Sequence, residues 1–65
     1  MKIKYFEDTD TLLIELKSGP VSETRDLDED TLLELDDHGR VLAITIEHAT
    51  ERTELKSISF DRMAA

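Results

Sequence analysis

The chain has no cysteine. That absence removes disulfide staples and thiolate metal sites, two common supports of a small fold, and leaves association with another chain as the third. Support matters at a length of 65 residues, because a fold of that size buries only about 60% of the surface its unfolded chain exposes. Residues 1–65 therefore read as a single small domain with a marginal core. The lack of cysteine also agrees with a reducing compartment. There is no apolar run long enough for a signal peptide or a membrane span, since "MKIKY" leads straight into patterned sequence. The expectation is a cytoplasmic protein with no membrane partner.

Positive charge is scarce as well. Eight Lys and Arg against sixteen Asp and Glu leave a net charge of -8, and the acids concentrate between Asp26 and Asp37. Direct binding of bare nucleic acid is disfavoured, because that affinity comes largely from basic side chains neutralising phosphates. Acid of this kind keeps a small protein soluble, and it also steers a basic protein toward its carboxylates. Asp26, Asp28, Glu29 and Asp30 form the candidate partner surface.

What the chain does contain is a repeated phrase. Displaced by twenty residues, half of the fourteen positions from 8 to 21 recur, among them Asp8 as Asp28, Asp10 as Asp30 and Thr11-Leu12-Leu13 as Thr31-Leu32-Leu33. Two copies are too few for a solenoid, which needs about three. Each copy instead reads as an acidic turn, a strand and a second turn, with Gly19 and Gly39 supplying a positive dihedral for the reversal.

Period-two alternation supports the strands. Ile3 and Tyr5 alternate with lysines; Leu12, Ile14 and Leu16 alternate with Leu13, Glu15 and Lys17; Leu42, Ile44 and Ile46 alternate with Ala43, Thr45 and Glu47. In the second copy the apolar positions slip by one residue, to Leu33 and Leu35, so the two copies are expected to differ at their turns. Residues 21–27, "VSETRDL", are a weak, mostly polar strand that Pro20 suits to an edge. A short helix is expected over residues 49–56, followed by a less regular tail.

These segments together carry a resemblance. "MKIKYFEDTDTLLIEL", "GPVSETRDLDED" and "LELDDHGRVLAITIEHAT" resemble the small prokaryotic domain of unknown function family 2283 over nearly the whole chain. Thr31 departs from the glycine or apolar residue of many members, and the tail after Thr50 does not align. The resemblance implies a compact sheet with a small helical end. It brings no catalytic or binding residues to carry over, and for some members it implies an antitoxin-like pairing with small toxins.

The expected fold is α+β: a small antiparallel β-meander of four to five strands with a short C-terminal helix. One helix covers about 10 Å, whereas four or five strands spaced about 4.8 Å apart are about 15 to 20 Å wide. The uncovered apolar surface marks an interface, so a homodimer through a sheet face is expected. Its candidate residues are Leu12, Ile14, Leu16, Leu33, Leu35, Leu42, Ile44, Ile46 and Phe60. Phe6, Leu13, Leu32, Val41 and Ala43 make the other face partly apolar.

Reactive groups are sparse. Asp36, Asp37 and His38 share one turn and are weak candidates for a divalent ion, although a hairpin turn explains them better. His48 after Glu47 has the elements of a general base but needs a cleft. The serines have no nucleophile elbow, and neither glycine belongs to a phosphate loop. No cofactor is expected and an enzyme is the minority reading. Two functions remain: an acidic homodimeric interaction module, antitoxin-like toward a basic protein, or a small-ligand or divalent-metal-binding protein with weak hydrolytic activity.

Overall fold

The computed structural model describes residues 1–64. Strands β1 (Lys2–Phe6), β2 (Thr11–Glu15), β3 (Glu23–Asp28), β4 (Thr31–Leu35) and β5 (Val41–Glu47) precede one helical turn, α1 (Ala49–Arg52). The strands form a single antiparallel sheet in the order β1-β2-β5-β4-β3. This is the α+β sheet with a short C-terminal helix that the alternation predicts. Consecutive pairing holds for β1-β2 and for β3-β4-β5. The β2–β3 connection alone departs from it, because β5 lies between β2 and β4.

That connection, residues 16–22, crosses the sheet end and is tied there by backbone. The Leu16 and Lys17 N–H groups both donate to the Leu42 carbonyl (2.8 and 3.2 Å), and the Ser22 N–H donates to the Leu35 carbonyl (2.8 Å). Gly19 does not take the positive dihedral expected of it; of the two glycines only Gly39 does, at φ 76°. Gly19 instead lies beside Leu42, whose Cδ2 is 3.6 Å from where a Cβ would stand, an ordinary contact distance.

The acidic turns follow local chemistry. The Asp28 carboxylate accepts the Asp30 N–H at 2.9 Å, and the Asp36 carboxylate accepts the N–H groups of His38 and Arg40, each at 2.9 Å. Such bonds from an Asp to backbone just downstream build turns without help from the rest of the chain. The copies do differ at their turns: β1 and β2 are separated by residues 7–10, β3 and β4 by residues 29–30 with a bulge between Asp26 and Asp28.

The one-residue slip has a topological cause. Leu12 stands opposite Ile46 and its counterpart Leu32 stands opposite Thr45, adjacent residues of β5. Adjacent strand residues point to opposite faces. The two hairpins therefore flank β5 with their faces exchanged, so that Leu33, rather than Leu32, joins Leu12 and Ile14.

Helix α1 stops at Arg52, short of the predicted residue 56. Thr53 is extended (φ -137°, ψ 158°), and both its N–H and its hydroxyl donate to the Ala49 carbonyl, at 2.8 and 2.7 Å. A β-branched residue whose side chain competes for a helix carbonyl favours termination. Residues 57–64 take neither helix nor strand form. Among the described residues no helix is long and apolar enough to cross a membrane.

The buried residues are Leu12, Leu35, Leu42, Ala43 and Ala49, with Thr31 as the buried polar one. Apart from alanine they lie toward the two sheet ends, near α1 and near the 16–22 link. The strands form a single layer, and Ile14, Leu33 and Ile44 at its middle are half-buried.

Candidate functional site

Register assigns the faces. Tyr5, Leu12, Ile46 and Thr31 are successive cross-strand neighbours, and so are Ile3, Ile14, Ile44 and Leu33. Leu35 and Leu42 continue this face by alternation. On β1, β2, β4 and β5 it carries apolar side chains plus Tyr5 and Thr31. The strand charges Lys2, Lys4, Glu15, Glu34 and Glu47 fall on the opposite side, beside Leu13, Leu32 and Ala43. Only β3, at the edge, brings charge to the apolar face, as Arg25 paired with Glu23 at 2.9 Å.

The first row is held under the α1 end of the molecule. Tyr5 donates its hydroxyl to Asp10 Oδ1 (2.6 Å), and Arg52 donates to Thr31 Oγ1 (2.6 Å) and to both Asp28 oxygens (3.3 and 3.2 Å). Leu12 and Thr31 are each 6% exposed as a result. In the second row Ile14, Ile44 and Leu33 are half-buried and Ile3 is exposed. An uncharged stripe thus crosses four strands.

The candidate interface residues divide accordingly. Leu12, Leu35 and Leu42 are already buried within the monomer; Ile14, Leu33, Ile44 and Ile46 are half-buried and Leu16 is exposed. Phe60 lies away from the strands, in the exposed tail.

A second cluster forms where β5 ends. Asp10 and His48 both take left-handed backbone, each at φ 54°. The Asp10 carboxylate accepts the Thr50 N–H (3.1 Å to Oδ1) and hydroxyl (2.7 Å to Oδ2) besides the Tyr5 hydroxyl. The Tyr5 bond, then the Thr50 bonds, hold the Asp10 carboxyl below the usual range, and the same bond to Asp10 pushes Tyr5 up to about 12. His48 Nδ1 lies 2.9 Å from Asp30 Oδ1, and this contact raises the imidazole pKa above its ordinary value. The His48 side chain is 64% exposed, so the pair lacks the cleft that a general base needs. The sequence offered no signal for Tyr5, Asp10, Thr50 or Arg52 beyond the presence of Asp10 in the repeat, because their contacts join distant segments.

Of the acidic surface, Asp28 is tied to Arg52 and Asp30 to His48, whereas Asp26 and Glu29 have no ion pair among the described residues. The bond from the Asp30 N–H is the main cause of a lowered Asp28 pKa. In the other acidic turn, the Asp36 carboxyl is held low chiefly by the Arg40 N–H and secondarily by that of His38. Asp37 and His38 approach to 3.7 Å at the surface. Among the described residues no three His, Asp or Glu side chains gather as metal ligands, since Asp36 turns its oxygen into the loop.

No curated protein and no solved structure matches the chain. A family model does, over residues 2–49, the span that holds the five strands and the exit of β5. The chain belongs to the family described as "Protein of unknown function (DUF2283)".

Proposed function

We propose that this protein is a homodimeric interaction module that pairs through its uncharged sheet face and presents its acidic turns to a basic partner protein, as an antitoxin does. The supporting observation is the stripe Ile3-Ile14-Ile44-Leu33, apolar across four strands, with Ile3 exposed and the other three half-buried in the single chain. Placing such a row in water leaves the hydrophobic effect unrealised, and burying it costs no charge desolvation. Isologous pairing lets one patch serve both copies. Carboxylates on the opposite face and at the turns stay in water, where Asp26 and Glu29, which have no ion pair among the described residues, are free to steer a cationic surface.

The test is particle mass at high micromolar concentration by light scattering. Twice the chain mass of 7.4 kDa is expected, and Ile3→Lys, a change at an exposed edge position that the fold tolerates, should return the monomer. Monomer alone at that concentration would sink the reading. A tagged pull-down then addresses the partner: a basic protein retained at low salt and lost at high salt is expected, and the variant Asp26→Asn, Glu29→Gln should retain less of it.

A further inference from the structure

We infer that the two copies exchange their C-terminal arms, residues 57–64 of one chain lying across the Ile3–Leu33 stripe of the other. The inference rests on the dimer proposed above and names what closes its interface.

Area is the first argument. The sheet face measures about 19 Å across five strands by about 17 Å along five residues, a footprint of about 320 Å². A stable interface takes about 800 Å² from each partner. The face also arrives partly spent, because the row nearest α1 is already covered. Something beyond the strands has to contribute.

The arm has the required chemistry. Ile58, Phe60 and Met63 are 64%, 77% and 83% exposed, so the arm does not rest on its own sheet. Ile58 and Phe60 flank Ser59, and an extended arm presents both to the same side. From Ile58 to Met63 an extended chain spans about 17 Å, while the stripe crosses three strand steps, about 14 Å.

Charge agrees. Residues 1–52 hold fourteen acids and six bases, a net of -8, and residues 53–65 hold two of each, Glu54 and Asp61 with Lys56 and Arg62, a net of zero. Two bodies of -8 repel. A neutral arm reaches across without adding to that repulsion, and it lands on the one face where four of the five strands carry no charge.

The absence of cysteine makes the test clean. Ile3→Cys and Phe60→Cys are made in separate full-length chains, mixed and oxidised, and the products are weighed under non-reducing conditions, with sedimentation run in parallel. With equal amounts of the two chains, a mixed adduct well above twice either self-adduct, the proportion that random pairing gives, is expected. The variant Ile58→Ser, Phe60→Ser should keep the β-sheet circular dichroism of the parent and weaken dimerisation by at least about tenfold. Arm exchange is overturned if the particle stays dimeric while the mixed adduct is no more abundant than random pairing gives; the dimer then stands without it. It is equally overturned if a chain carrying both substitutions closes on itself at monomer mass. A monomer by sedimentation in the unsubstituted chain would remove both proposals together.

Discussion

Asp10 and Asp30, twenty residues apart and equivalent in the repeat, grip the exit of β5 from its two sides. The Asp30 carbonyl accepts the Glu47 N–H at 2.7 Å, and the Asp10 carbonyl accepts the Ala49 N–H at 3.0 Å. Their carboxylates take the residues next along, Asp30 meeting His48 and Asp10 meeting Thr50. Four successive residues are thus held in two pairs, Glu47 and His48 by Asp30, then Ala49 and Thr50 by Asp10. The repeat puts a turn of the same chemistry at the start of β2 and of β4, and β5 between them uses both.

The two roles of Asp10 can be separated. Asp10→Gly keeps the left-handed backbone and removes the carboxylate; Asp10→Ala removes the carboxylate and opposes the backbone as well. Melting temperatures should fall in the order parent, Asp10→Gly, Asp10→Ala. Equal melting of the parent and Asp10→Gly would show that the Tyr5 and Thr50 bonds contribute nothing.

Stability should form a plateau in pH with a limb at each end. The His48 pKa is raised above 6.5 by Asp30, so its contribution is complete below pH 6.5 and is lost as pH rises through the higher folded value. Asp10, Asp28 and Asp36 are lowered from 3.8, so theirs is complete above pH 3.8 and is lost as pH falls through the lower folded values. Tyr5 adds a further loss between pH 10 and about 12. In urea titrations across this range, His48→Gln should flatten the step above pH 6.5 and leave the acid limb unchanged. A step that survives the substitution belongs to another group. These groups are exposed or half-buried, so the amplitude should shrink as salt is added.

The two glycines should respond in opposite directions to alanine. Gly39 has open space where a methyl would stand but a φ of 76°, so Gly39→Ala should cost about 1 kcal/mol through backbone strain alone, and Gly39→Asn less. Gly19 has no such dihedral, and an added methyl would meet Leu42 at an ordinary 3.6 Å. Gly19→Ala should therefore be neutral or stabilise by up to about 1 kcal/mol, read from the urea midpoint at constant slope.

Leu35, 3% exposed, is the most buried leucine. Leu35→Ala should cost about 2 to 5 kcal/mol, a large share of the stability of so small a domain, and should move the chemical denaturation midpoint far more than Leu16→Ala at an exposed position. Similar shifts for the two would place the core elsewhere.

Much of this architecture was legible in local pattern. Alternation marked four of the strands; the fifth, β3, was expected from the extended propensity of residues 21–27 and begins at Glu23, two residues after the expected start at Val21. The Asp28 and Asp36 turns followed from side chains that bond backbone two to four residues away. The apolar set Ile3, Tyr5, Leu12, Ile14, Leu33, Ile44 and Ile46 was legible as one face as well, because period two survives whatever the strand order. The end of α1 was not legible, since it turns on which hydrogen bond Thr53 makes.

Features whose partners lie within a few residues could thus be read directly from the chain: strands, acidic turns, the sidedness of charge and the neutrality of the arm. Four others emerge only in the assembled sheet. There β5 inserts between β2 and β4, the hairpins flank it with faces exchanged, Asp10 and Asp30 converge on one exit, and Ile3 to Leu33 become a continuous apolar stripe. Period and turn chemistry are local energies written in neighbouring residues. Strand order is a choice among long-range pairings of similar local quality, and only the packing of the whole chain separates them.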